Sequence, residues 1–253
     1  MTIAMVRPQL VAFGLVFLRT SSLTMMVPVL GGEAVPLRIR GAVAAILAAV
    51  LTPVAGPFAD TDPLVLIAAA VGEVLLGIAL GTAVRLTLST AEMGGELVGM
   101  SMGFGFARIV DPMTHEDRDV VAQLMGLFTT LLFISVDGHH MVLGALGATL
   151  REVPLGTVLP RLPRLTTITP MLQSASLAAI RIAAPVVLAL LLSNGALALL
   201  SRVAPQLNLF ALSFALGIGV GTLVLIASSG QTFGTVVHLL RQIPQQLATL
   251  VGA

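Results

Sequence analysis

An all-α membrane protein built of kinked helical hairpins is the fold class this sequence predicts, and three observations carry the prediction. The 253 residues are 57% hydrophobic and 10% charged, with a mean hydropathy of +1.03, whereas soluble domains are about 45–50% apolar and about 25% charged. The apolar residues collect in runs long enough to cross roughly 30 Å of hydrocarbon, which takes about 17–25 helical residues. Prolines, glycines and single charges interrupt those same runs, so the helices are expected to bend and to pack against protein.

Composition also excludes whole classes of chemistry. The chain has no cysteine, which removes disulfides, zinc-thiolate sites, iron-sulfur clusters and a thiol nucleophile. It has neither Trp nor Tyr, so the aromatic belt that anchors many spans at the interface is missing. Protein neighbours are therefore expected over much of the apolar surface. Arginine supplies every basic charge apart from histidine, and a net charge of +1 offers no field for nucleic acid.

Along the chain, candidate spans fall near 10–30, 41–57, 64–84, 120–149, 176–200 and 207–229, with 93–110 as a marginal seventh. The opening MTIAMVRPQLVAFGLVFLRTSSL lacks a small-residue cleavage site leading to a polar domain, so it reads as a retained first span. The stretches GGEAVP, GPFADTDP, DPMTHEDRD and REVPLGTVLPRLPRLTTITP punctuate the runs. If all seven cross, Arg38, Arg40, Arg85, Arg151, Arg161, Arg164 and Arg241 share one side against Arg7, Arg118 and Arg202 on the other. The positive-inside rule then places the C-terminus in the cytoplasm.

Charges inside the runs need partners, because an ionisable group near a bilayer centre costs about 2.5–3.5 kcal/mol on insertion scales. Arg19 interrupts the first run, Glu73 the third, and Arg181 opens the sixth. Pairing across packed helices is expected for them; a proton relay needs several carboxylates in line, and Glu73 is alone in its run. Gly72, Gly77 and Gly81 lie along one helix, the last two in the GxxxG spacing that allows close backbone approach, inside the chain or to a partner. Pro185 and Pro205 are expected to kink or end helices. In SRVAPQLNLF, Arg202, Gln206 and Asn208 are expected to satisfy the backbone that Pro205 breaks.

The stretch GMSMGFGFARIVDP resists assignment as a span. Met100, Met102, Phe104 and Phe106 alternate with small residues, Gly99, Gly103 and Gly105 permit bending, and Asp111-Pro112 ends the segment. Such a segment reads as irregular backbone buried in protein or lining a cavity, and methionine suits the sealing of an irregular gap. Enzyme signatures are absent: there is no P-loop, and the Gly-x-Gly of GFGFA lacks its strand-helix context. In DGHH, Asp137, His139 and His140 read as a structural polar turn: the two histidines are adjacent, so on a helix they should diverge by about 100° and not share a metal. No catalytic, cofactor or metal site is expected.

Taken together, the order and spacing of these pieces resemble the FliR/SctT family of flagellar export-gate and injectisome proteins over nearly the whole chain. FLRTSSLTMMVPVLGGEAVPLRIR, GEVLLGIALG, AEMGGELVGMSMGFGFARIVDP and DGHHMVLGALGATLREVPLG follow in the family's order. IRIAAPVVLALLLSNGALALLSRVAPQLNLF is similar to its C-terminal block, with Arg181, Pro185, Asn194, Arg202, Pro205, Gln206, Asn208 and Phe210 in register. Where the family often continues Gly-Phe-Pro, this chain has Ser213, Phe214 and Ala215 and so lacks a kinking proline.

The resemblance implies a non-enzymatic subunit of the bacterial inner membrane at the flagellar basal body. In that family, one such subunit joins several FliP-type and FliQ-type subunits in a right-handed helical ring whose axis is an export channel. FlhB and FlhA complete the gate, and unfolded flagellar proteins pass through it, driven by proton motive force and a separate ATPase. The resemblance also implies a FliP-like part over 1–173 and a FliQ-like hairpin over 174–253, with a plug near 100–112 formed by Met100, Met102, Phe104, Phe106, Asp111 and Pro112. Arg19, Glu73, Arg181, Arg202, Gln206 and Asn208 are the expected buried and assembly contacts. The alternatives are the equivalent subunit of a virulence injectisome and a small-solute secondary transporter, whose paired repeats the sequence does not show.

Overall fold

In the computed structural model, which describes residues 2–28, 35–60, 62–105, 119–159, 165–204 and 208–251, all the regular structure among the described residues is helical. The elements are α1 (Thr2–Met26), α2 (Leu37–Ala55), α3 (Pro63–Met102), α4 (Val120–Ser135) and α5 (Gly138–Glu152). They are followed by α6 (Leu165–Val203), α7 (Leu209–Ala227), α8 (Ser229–Arg241) and α9 (Ile243–Val251).

Local sequence explains where several of these begin and end. Asp62 and Pro63 open α3 as a capping pair. The Asp62 carboxylate accepts from the Leu64 amide at 2.9 Å, and Pro63 occupies the first position, where a missing N–H costs nothing. Asp119 caps α4 in the same way through the Val121 amide at 2.9 Å, and Asn208 caps α7 through the Ala211 amide at 3.3 Å. Gly56 closes α2 at φ 78°, a backbone conformation that a side chain disfavours.

Three sequence expectations are corrected. The runs 64–84 and 93–110 are not separate spans, because α3 is one helix of 40 residues. At 1.5 Å per residue it is about 60 Å long, roughly twice a hydrocarbon core. The intervening RLTLSTAE is polar but carries neither Pro nor Gly, so it lowers hydropathy without breaking the hydrogen-bond ladder. The run 120–149 is broken instead of continuous: Asp137, at φ 57°, separates α4 from α5. Pro185, expected to kink or end its helix, does not end it, since α6 runs 39 residues through it; the long ladder on either side tolerates one missing bond. Among the described residues, seven expected crossings become four helices long and apolar enough to cross a membrane, or up to six if each of two bent pairs is one span. The orientation inferred from seven crossings loses its premise.

The chain forms two compact units interleaved in sequence: Met1–Thr87 with Ile134–Leu172 and Leu240–Ala253, and Leu88–Phe133 with Gln173–Leu239. In the first, Ala12, Leu15, Val16, Ala48, Ala69 and Leu150 form a core closed at its edge by Phe13, Phe17 and Phe58. In the second, Val98, Met102, Val121, Ala183, Val186 and Leu190 form the core, with Phe104 and Met125 against it. Burial is incomplete: Ile46, Leu64, Ile67, Leu188, Leu192 and Leu199 are all exposed. A chain with this much uncovered apolar surface is built for lipid or for protein neighbours.

Candidate functional site

Within the first unit the chemistry gathers around one buried ion pair. Glu73 lies on α3 one turn before Gly77, and Gly77 meets the backbone of α1. A Cβ at position 77 would lie 2.5 Å from the Arg19 carbonyl oxygen, and one at Gly81 would lie 2.9 Å from that of Leu23. The two bare positions therefore let α1 and α3 approach backbone to backbone, and Arg19 comes within reach of Glu73. Its Nε donates to Glu73 Oε2 at 2.5 Å, both side chains being wholly buried.

The remaining polar atoms of the pair find partners on a third element. Arg19 Nη1 donates to Thr149 Oγ1 at 3.3 Å and Nη2 to the Val153 carbonyl at 3.2 Å. Val153 ends α5, so the guanidinium satisfies a carbonyl that the helix terminus leaves without an internal partner. Glu73 Oε1 accepts from the Gly156 amide at 3.3 Å. Gly156 sits at φ 79°, and a Cβ there would meet the Phe58 ring at 2.8 Å. No buried side-chain nitrogen or oxygen among the described residues lacks a hydrogen bond. The sequence marks Arg19 and Glu73 as misfits; it gives no sign that Thr149, Val153 and Gly156 complete them, apart from the turn character of VPLG.

In the second unit, α3 and α4 pack through glycine from both sides. A Cβ at Gly95 would lie 2.8 Å from the Ala122 Cα, one at Gly126 would meet the Glu92 side chain, and one at Gly99 would overlap the Asp119 carboxylate. Beyond Gly99 the helix closes in a Schellman motif. The Phe104 amide donates to the Gly99 carbonyl at 3.0 Å and the Gly103 amide to the Met100 carbonyl at 3.2 Å, with Gly103 at φ 95°. Met100 and Met102 are thus on the last helical turn, not on irregular backbone. Met102 is buried, its side chain lying over Gly221 and its carbonyl against Gly217, while Met100 is 66% exposed. Phe104 packs at the edge of the core. Phe214 lies 3.3 Å from where a Cβ on Gly103 would be, and α7 runs through Ser213, Phe214 and Ala215 as helix.

The other expected residues divide. Arg181 and Arg202 are exposed on α6 and make no ion pair with any described residue, and Asn208 serves as the cap of α7. Phe106, Asp111, Pro112 and Gln206 lie outside the described residues. Divergence of His139 and His140 is overturned: their rings lie 4.2 Å apart, centroid to centroid. Long side chains on the open first turn of a helix can converge even though their Cα–Cβ bonds do not.

This architecture, long apolar helices joined by glycine contacts and buried polar ties, defines an all-α membrane protein. More narrowly, the chain belongs to the bacterial export proteins, family 1, whose profile matches residues 10–243. It is 30% identical over 237 residues to the flagellar biosynthetic protein FliR of Escherichia coli K12, covering 93% of this chain and 90% of that one. It is 27% identical over 249 residues to FliR of Bacillus subtilis 168, covering 95% and 96%. Similarity extends to the surface presentation of antigens protein SpaR of Salmonella typhimurium LT2, 28% identical over 155 residues, covering 61% of this chain and 58% of that one.

Proposed function

We propose that this chain is a non-enzymatic subunit of the flagellar type III export gate in the bacterial inner membrane. It packs with FliP-type and FliQ-type subunits, with FlhB and FlhA adjoining, around a channel for unfolded flagellar proteins. The division into a FliP-like 1–173 and a FliQ-like 174–253 belongs to the same reading. Arg181 and Arg202 support it, since guanidinium groups exposed on an apolar helix are costly in lipid and call for an acidic or hydrogen-bonding neighbour. The uncovered leucines and isoleucines of α2, α3 and α6 are a second support. A flagellar rather than injectisome role is favoured by the matches to FliR over nearly the full chain, against 61% for SpaR.

The observation that carries the gating part is the end of α3. Met102 is clamped over Gly221 while Gly103 turns the chain out of the helix, so the segment that follows is anchored at one end. Residues 100–112 would then act as a plug, with Phe104 and Phe106 as its bulk, Met100 as its adaptable filling, Met102 as its anchor in the core and Asp111-Pro112 as its limit. Replacing Phe104 and Phe106 together by Gly should raise resting ion conductance across the membrane while the complex still assembles. Wild-type conductance in an assembled double mutant would reject the plug. Failure to restore motility in a strain lacking its own FliR, with injectisome secretion restored instead, would favour the second assignment.

A further inference from the structure

The corner between α4 and α5 carries a side-chain arrangement that the export reading does not use. Asp137 precedes α5 at φ 57° and ψ 31°, and its carboxylate makes no capping bond to the helix, although an Asp at this position ordinarily accepts from the first-turn amides. The carboxylate instead faces the imidazoles: Asp137 Oδ1 lies 3.4 Å from His140 Nδ1. The ring of His139 stands 4.2 Å from that of His140, tilted by 37°. One oxygen of Asp137 and one nitrogen from each histidine lie within 4.8 Å of one another.

From these positions, the geometry points to a divalent metal site of the zinc type, ligated by Asp137, His139 and His140 with water in the fourth position. Two imidazoles and a carboxylate are a donor set that zinc takes with one position left open. Tetrahedral bonds of about 2.0–2.1 Å place ligand atoms about 3.4 Å apart; Asp137 Oδ1 and His140 Nδ1 already have that separation, and the wider pairs, within 4.8 Å, must close inward by at most about 1.4 Å. The Asp137 and His140 side chains are 72% and 71% exposed, which leaves them free to rotate toward an ion. The amino end of α5 opposes a cation, so binding is weaker than at closed structural zinc sites. A bound ion would fasten the left-handed turn at Asp137 to the first turn of α5. Nothing in this proposal depends on the export function.

Zinc titration of the full-length chain in detergent, against a chromogenic chelator, tests it. The chain has four histidines, so the comparison with substituted chains is decisive. Wild type should take up one equivalent, and Co2+ in its place should give the strong visible bands of a tetrahedral site. His139→Ala/His140→Ala should weaken that binding by about a hundredfold and abolish the bands, and Asp137→Asn should weaken it by about tenfold. Asn tolerates the left-handed backbone, and circular dichroism checks that each variant keeps its helices. Equal zinc affinity in wild type and the double variant, or octahedral Co2+ spectra in both, would overturn the site.

Discussion

Glu73 and Arg19 show how a residue that hydropathy treats as an intruder becomes the tie of a local structure. Neither side chain touches solvent, and each polar direction is answered: Thr149 and Val153 for the guanidinium, Gly156 for the carboxylate. A buried ion pair contributes little net stability over a well-packed apolar pair, yet losing one member strands the other. Glu73→Leu should therefore destabilise the first unit by about 3–5 kcal/mol, and Arg19→Met/Glu73→Leu should recover most of that loss. Denaturation midpoints of the purified chain in detergent check both; a single variant no worse than the double would show that the pair is not the tie.

At the scale of elements, glycine decides which helices approach and where one of them stops. Gly77 and Gly81 set α3 on α1, Gly95 and Gly126 set it on α4, and Gly103 closes it. The last is open to a direct test. At φ 95° an alanine is strained by about 1–2 kcal/mol, and its Cβ would also press on Phe214 at 3.3 Å. Gly103→Ala should loosen the end of α3, seen as faster hydrogen exchange at the Gly103 and Phe104 amides. Exchange at the Asp119 cap of α4 should change less. Unchanged exchange at the Phe104 amide would mean that the Schellman closure does not hold the helix end.

For the molecule as a whole, the open question is what covers the apolar faces and the two exposed arginines of α6. In the proposed assembly Arg181 meets an acidic or polar group of a neighbouring subunit. Arg181→Glu should then reduce the amount of complex recovered on native gels when the chain is expressed with its partners, while the isolated chain melts as wild type does. Full recovery of complex would place Arg181 outside every contact. Loss of stability in the isolated chain would make it an internal contact instead.

Class, family and the identity of the misfit charges were legible in the sequence because they depend on composition and order. Apolar runs need a membrane or protein cover whatever their fold, and Arg19 and Glu73 are costly in any apolar setting. Boundaries were less legible: RLTLSTAE lowers hydropathy without carrying a helix breaker, so two spans were read where α3 is one, and the left-handed turn at Asp137 is written only weakly in SVDGHH. Tertiary structure alone decided that Arg19 answers Glu73 and that a third helix end completes the pair. It also decided that Met102 fills the space over Gly221 and that His139 and His140 converge. Each of these depends on distances between residues far apart in the chain or on side-chain torsions, and neither follows from a one-dimensional pattern.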